Sequence, residues 1–205
     1  MKKIAIIDID DTLADLRNPM CNSLNIICEE KYHWTQWTGS SSVETLYGIS
    51  TTELLGAIED DLLLENLEPH AEVAHFMRLL HELDYYVVFL TARAWHPNGE
   101  AITEKWLKKN NIEYDRLIVC PLEANKAEIV KANFECVDFA VDDSVRHCVS
   151  YSNEPIIKNV YVYDLPWNST CSSEMRRDVE EHRWRRQPPG PILTLMHESV
   201  GSKQD

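Results

Sequence analysis

The sequence predicts an α/β fold built on a parallel sheet that helices cover on both faces. Two observations carry that prediction: short β-branched apolar runs recur along the chain, and amphipathic helical patterns lie between them. A third observation adds a detail. The interval after the first run is far longer than one crossover helix needs, and its helical patches predict an insertion folded over one end of the sheet.

Taken in order, the first run is Lys3-Ile-Ala-Ile-Ile-Asp-Ile, a continuous apolar stretch of the kind found in strands buried on both faces. The second is Tyr85-Tyr-Val-Val-Phe-Leu90, the third Leu117-Ile-Val-Cys120, the fourth Val137-Asp-Phe-Ala-Val141 and the fifth Asn159-Val-Tyr-Val-Tyr163. Between them, His70 to Leu83 sets Val73, Phe76, Met77 and Leu80 on one helical face. Glu100 to Lys109 does the same with Ile102, Trp106 and Leu107. Ala124 to Ala132 and Ser144 to Tyr151 are shorter helical patterns.

The core is therefore expected in two pieces, residues 1–15 and 68–171, with residues 16–67 as a helical insertion. Within it, Met20 to Glu30 and Thr51 to Leu64 read as helices, beside an aromatic stretch at Tyr32, Trp34 and Trp37. Residues 172–205 are expected as a charged helix carrying Arg176, Arg177, Arg183, Arg185 and Arg186, then a proline-broken tail. The interleaved Glu174, Asp178, Glu180 and Glu181 make a solvated helix face the simplest account of those arginines.

Composition narrows the function. A length of 205 residues, 44% of them apolar and 26% charged, suits one ordinary globular core. A net charge of −14 opposes long polyanions, so duplex nucleic acid is not an expected partner. No run reaches the roughly 18 apolar residues of a membrane span. The apolar N-terminal stretch is interrupted by Asp8, Asp10 and Asp11 and precedes no small-residue cleavage site, so it reads as mature sequence. The six cysteines form no C-x-x-C pair, which favours reduced thiols in a cytoplasmic protein over disulfides or zinc. The eight histidines show no metal-ligand spacing either.

Chemistry concentrates at strand ends. An open parallel sheet places its functional crevice beyond the carboxyl ends of its strands. Asp8, Asp10 and Asp11 stand at the exit of the first strand, and Asp142 and Asp143 at the exit of the fourth. Such carboxylates repel one another unless a hard cation such as Mg²⁺ joins them. Either group alone could equally be a helix cap or a turn. Both groups together, with Thr91-Ala92-Arg93 after the second strand and Lys126 after the third, point instead to phosphate chemistry.

These four stretches resemble the motifs of the haloacid dehalogenase (HAD) superfamily of phosphatases. Ile6-Ile7-Asp8-Ile9-Asp10-Asp11-Thr12-Leu13 matches the first motif, Phe89-Leu90-Thr91 the second, Lys126 the third and Ala140-Val141-Asp142-Asp143 the fourth. The resemblance implies a Rossmann-like core with a five-stranded parallel sheet, and a small helical type 1 cap where the insertion lies. It also implies roles. Asp8 would attack phosphorus, Asp10 would shuttle the proton, Thr91 would hold phosphoryl oxygens and Lys126 would neutralise charge. Mg²⁺ would be held by Asp8, by the backbone carbonyl of Asp10, and by Asp142 or Asp143. The sequence departs from the pattern at Asp11, where relatives often carry Gly; aspartate tolerates turn conformations well enough to keep the motif working.

Within the superfamily the chain is most similar to the 5′(3′)-deoxyribonucleotidases. The shared patterns are Thr12-Leu-Ala-Asp15, Thr103-x-x-Trp106-Leu107 with Ile112-Glu-Tyr-Asp115, and Asp164-Leu-Pro-Trp-Asn168. This implies a Mg²⁺-dependent phosphohydrolase acting on deoxyribonucleoside monophosphates. The phosphatase domain of polynucleotide kinase is a second likeness, which keeps the 3′ ends of short oligonucleotides, or another small phosphate ester, open as substrate. A silent nucleotide-binding protein is the alternative of another class.

Substrate contacts are expected from Thr91, Ala92 and Arg93, and from Trp34 and Trp37 as an aromatic wall, with Trp95 as a further candidate. For the tryptophans the competing account is the insertion's own core. For Arg93 it is an ion pair with a local carboxylate. The expected partner is a small phosphorylated molecule, a nucleotide on the resemblance, and a homodimer stays open.

Overall fold

The computed structural model describes residues 2–37, 43–163, 165 and 168, and the backbone at 184–187. Strand β1 (Lys3–Ile7) leads into four short helices, α1 (Arg17–Ile27), α2 (Val43–Tyr47), α3 (Thr51–Asp60) and α4 (Leu63–Asn66), with a 3₁₀ turn at Trp34–Gln36. The remainder alternates: α5 (Val73–Glu82), β2 (Tyr85–Thr91), α6 (Gly99–Lys109), β3 (Arg116–Val119), α7 (Lys126–Asn133), β4 (Phe139–Asp142), α8 (Val145–Ser152) and β5 (Val160–Tyr163). A last strand, β6 (Trp184–Gln187), completes the sheet.

The sheet is parallel throughout, in the order β3-β2-β1-β4-β5-β6. All five expected strands are present, and β6 is an addition. It pairs with β5 in the register Val160↔Trp184 to Tyr163↔Gln187. The helix expected over this region is therefore corrected at Arg185 and Arg186, which lie in a strand. Local charge pattern favoured a helix there, but an open sheet edge offers backbone partners that no local pattern records. The rest of that expected helix, Arg176, Arg177 and Arg183 included, lies outside the described residues.

Alternation along the strands builds two cores. Ala5, Ile7, Val87 and Phe89 face one side, against Phe76 and Leu80 of α5 and Trp106 and Leu107 of α6. Ile6, Val88, Leu90 and Ala140 face the other, against Val130 of α7 and Cys148 and Tyr151 of α8. This is the period-two pattern of strands covered on both faces. Helices α1 to α4 form a third cluster around Met20, Leu24, Trp37, Tyr47, Ile58 and Leu64, which also takes in Ile102 of α6. Tyr47 sits edge-on to both Tyr32 and Trp37, with ring centroids 5.1 and 6.0 Å apart. Ser50 and Glu53 start α3 with a reciprocal capping box.

The chain leaves and re-enters the sheet region through two paired segments. Asp15 N–H donates to Glu68 O (3.1 Å) and His70 N–H to Leu13 O (2.8 Å). Among the described residues, no helix is long and apolar enough to cross a membrane. Cys21, Cys28, Cys120, Cys136 and Cys148 are free thiols.

Candidate active site

The strand order decides where the site forms. β1 is flanked by β2 and by β4, so the chain departs in opposite directions from two adjacent strands, and the crevice between their carboxyl ends is the natural ligand position. Asp8 follows β1 directly, and its N–H donates to Val141 O of β4 at 3.0 Å. That bond carries the sheet register one residue further and brings Asp8 beside Asp142 and Asp143. One carboxylate oxygen from each of the three lies within 4.8 Å of the others.

Lys126, at the start of α7, points its ammonium into this cluster. Its Nζ donates to Asp8 Oδ1 at 2.6 Å and to Asp142 Oδ2 at 2.8 Å. Asn125 directs the helix by accepting from Ala127 N–H through its side chain. Ser144 N–H donates to Asp142 Oδ1 (2.9 Å), and Thr12 Oγ1 to Asp8 Oδ2 (3.3 Å). Asn168 clasps the loop after β4, donating to the carbonyls of Asp143 (2.9 Å) and Tyr163 (2.7 Å).

Burial sets the electrostatics. It pushes the Asp8 carboxyl up to about 7, helped by Asp142 and Asp10 and opposed by Lys126. Burial, then Asp11, Asp142 and Asp8, hold Asp143 well above the usual carboxylate range. For Lys126, burial works against the charge, but Asp142 and Asp8 outweigh it and keep the ammonium protonated. His147 is pushed down to about 4 by burial and is neutral at ordinary pH. Three clustered carboxylates thus share one lysine, which leaves the group short of positive charge. The donors are hard oxygens, the set a small divalent cation such as Mg²⁺ prefers, and the cluster fits one.

Asp10 and Asp11 are placed differently from this trio. Asp11 has φ +59°, in the left-handed region, which aspartate enters more readily than most side chains. Its Oδ1 accepts from the N–H groups of Leu16 (3.1 Å) and Arg17 (2.9 Å), and its Oδ2 from Arg17 Nε (2.8 Å). Burial raises it to about 6, against the pull of Arg17. Asp10 turns its carboxylate to Arg93, whose Nε and Nη2 donate to Oδ2 (2.9 Å) and Oδ1 (2.5 Å).

The expected substrate residues separate. Ala92 and Trp37 line the cavity above the carboxylates, as does Trp95. Of the two roles open to Arg93, the structure gives the ion pair. The side chain is 1% exposed and is absent from the cavity wall. Thr91 is fully buried with Oγ1 3.5 Å from Asp10 Oδ2. Trp34 is also absent from the wall; it stacks on His33 at 5.7 Å and packs on the core of helices α1 to α4. That segment's need for a core of its own explains the outcome, and Trp37 serves core and cavity together.

The cavity holds about 440 Å³, ample for a small phosphorylated molecule. Asp8, Lys126, Asp142 and Asp143 line it on the sheet side; from helices α1 to α3 come apolar Met20, Leu54, Leu55 and Ile58 and polar Glu44 and Thr51. Arg17, Arg146 and His147 also line it, and sequence reasoning missed all three. Arg17 lies 5.7 Å from the centroid of the Trp37 ring. A helical turn after Asp142-Asp143 should have pointed to Arg146 and His147; nothing local pointed to Arg17.

No protein-family model and no curated protein matches the sequence. Solved structures do match over nearly their full length. A protein from Clostridium difficile provisionally assigned as a phosphatase is 14% identical, with a TM-score of 0.65 over 95% of this chain and 98% of that one. A haloacid dehalogenase-like family hydrolase from Streptococcus pneumoniae is 11% identical, with a TM-score of 0.65 over 96% and 98%. A provisional beta-phosphoglucomutase from Thermotoga maritima is 12% identical, with a TM-score of 0.61 over 96% and 99%. The chain therefore has the α/β, Rossmann-like fold of haloacid dehalogenase-like hydrolases.

Proposed function

We propose that the protein is a Mg²⁺-dependent phosphohydrolase that removes phosphate from deoxyribonucleoside monophosphates through a phosphorylated aspartate. One observation carries the reading: Asp8 sits at the switch point of the sheet, held by Lys126 and within 4.8 Å of the Asp142–Asp143 pair. A nucleophile, a fixed cation and a metal-competent carboxylate group then line one cavity.

In this reading Asp8 attacks phosphorus through a carboxylate oxygen, and the bond to the leaving oxygen breaks. Asp10, at the cavity wall, gives its proton to that oxygen, which departs as an alcohol. Asp10 then takes a proton from water as the water oxygen attacks the phosphorylated Asp8. Phosphate leaves, and both side chains return to their starting forms. Lys126 stabilises charge on the phosphoryl oxygens and holds Asp8 in line. Asp8, Asp142 and Asp143 would hold Mg²⁺, together with the carbonyl of Asp10, and the ion supplies charge neutralisation at the phosphoryl group. Met20, Leu54, Leu55 and Ile58, with Trp37 and Trp95, offer apolar surface on which a base can stack.

The test is phosphate release from a panel of deoxyribonucleoside and ribonucleoside monophosphates and 3′-phosphorylated oligonucleotides, with and without Mg²⁺. Release from the deoxyribonucleotides that needs Mg²⁺ and disappears in Asp8→Asn is the expected result. Faster release from oligonucleotide ends would move the substrate to nucleic-acid termini. Tight nucleotide binding with no release from any ester would refute an enzyme.

A further inference from the structure

We infer that Arg93 is a positioning residue that holds the Asp10 carboxylate in the orientation proton transfer requires. The inference rests on the phosphohydrolase reading, in which Asp10 carries the proton. Arg93 does not line the cavity above the carboxylates, whereas Asp10, with its side chain 22% exposed, does. The guanidinium acts from behind.

Its geometry suits that role. Two donors of one planar fork meet the two oxygens of one carboxylate, Nε to Oδ2 at 2.9 Å and Nη2 to Oδ1 at 2.5 Å. A single-point contact would let the carboxylate turn, but a paired fork removes that freedom. Proton transfer depends steeply on such alignment.

The fork itself is braced. Nη1 donates to Thr103 Oγ1 at 3.2 Å, and Thr103 Oγ1 donates to Gly99 O at 2.7 Å, so the first turn of α6 fixes the far side of the guanidinium. The Trp106 ring lies 6.0 Å from the guanidinium carbon. Gly99 is pressed onto the Arg93 backbone: a Cβ there would fall 2.1 Å from Arg93 O. Arg93 is thus set by α6 and β2, and Asp10 by Arg93.

The experiment compares Arg93→Lys and Thr103→Val with the wild type on two esters in the presence of Mg²⁺. One is a deoxyribonucleoside 5′-monophosphate, whose alkoxide must be protonated as it leaves. The other is p-nitrophenyl phosphate, whose phenolate leaves without that help. For Arg93→Lys, kcat on the nucleotide should fall on the order of 100-fold with little change in KM. The first turnover of the aryl ester should stay close to the wild-type rate. It should also show a burst of nitrophenolate, since hydrolysis of the phosphorylated enzyme still needs Asp10 as base. Thr103→Val should shift the same ratio in the same direction by less.

Equal losses on both esters in the first turnover would make Arg93 a purely structural pin and overturn the proposal. A raised KM with kcat unchanged would make it a substrate ligand, and no loss on either ester would make it dispensable; both overturn it too. Should Arg93→Lys fail to fold, judged by circular dichroism, Thr103→Val decides by the same ratio. Wild-type inactivity on both esters would remove the phosphohydrolase reading and this inference with it, an outcome distinct from equal losses.

Discussion

Lys126 places its ammonium 2.6 Å from Asp8 Oδ1, and both side chains are almost wholly enclosed by protein. The contact joins the first turn of α7 to the loop after β1, and it fixes the candidate nucleophile while balancing part of the cluster's charge. Removing one partner of a buried pair leaves the other desolvated without compensation. Lys126→Met should therefore lower stability by about 3 kcal/mol. It should also lower phosphate release by roughly 100-fold or more. Urea unfolding and a phosphate-release assay read the two effects; a variant as stable and active as wild type would contradict both.

The raised carboxyls predict a pH dependence. Asp8 rises from the ordinary 3.8 to about 7, and Asp11 from 3.8 to about 6. An acid whose folded value lies above its unfolded value binds its proton more tightly when folded. Its contribution to stability is complete below the unfolded value and is lost as pH climbs through the folded one. Without divalent cations, the melting temperature should fall as pH rises from about 4 to about 7. A cation needs the ionised carboxylates, so added Mg²⁺ should raise the melting temperature more at the upper end of that window than below it. Thermal scans in EDTA and in MgCl₂ would show parallel pH curves if this is wrong.

Gly99 should tolerate no side chain. The 2.1 Å approach of a Cβ to Arg93 O is to backbone, so α6 or the segment after β2 must move. Gly99→Ala is expected to cost about 2 kcal/mol in denaturant unfolding, within the usual range for overpacking. A neutral or stabilising result, as for a glycine in an open helix, would show that the segment yields.

Trp95 lines the cavity and is only half-buried, so its truncation tests the wall with limited cost to folding. Trp95→Ala should raise KM for a deoxyribonucleoside monophosphate roughly tenfold, as loss of one base–aromatic stack would. KM for p-nitrophenyl phosphate should change less. Equal changes for both esters would remove Trp95 from base recognition.

Much of the fold was legible in the sequence. The runs at Lys3–Ile9, Tyr85–Leu90 and Asn159–Tyr163 announced strands because β-branched apolar residues there can only be buried between two layers. The pattern of Val73, Phe76, Met77 and Leu80 announced α5 for the matching reason. The turn at Asp11 was legible only through the family resemblance, and aspartate tolerates the left-handed φ of +59° found there. β6 was not legible, because Trp184–Gln187 has no strand pattern of its own and acquires one by pairing with β5. Trp34 and Trp37 could not be told apart either; both read as aromatics in a helical segment, and only packing put one of them against the cavity.

The sequence by itself determined which residue types stand at strand exits: acids after β1 and β4, a threonine and an arginine near the end of β2, and a lysine at the start of α7. Tertiary structure decided how they divide. Strand order sets β1 beside β4, so carboxylate oxygens of Asp8, Asp142 and Asp143 come within 4.8 Å of one another, while the neighbouring Asp10 turns to Arg93 and Asp11 to Arg17. No local pattern could have shown that division. Adjacent carboxylates on one chain are chemically alike, and what distinguishes them is the partner that a strand or helix distant in sequence brings within hydrogen-bonding reach.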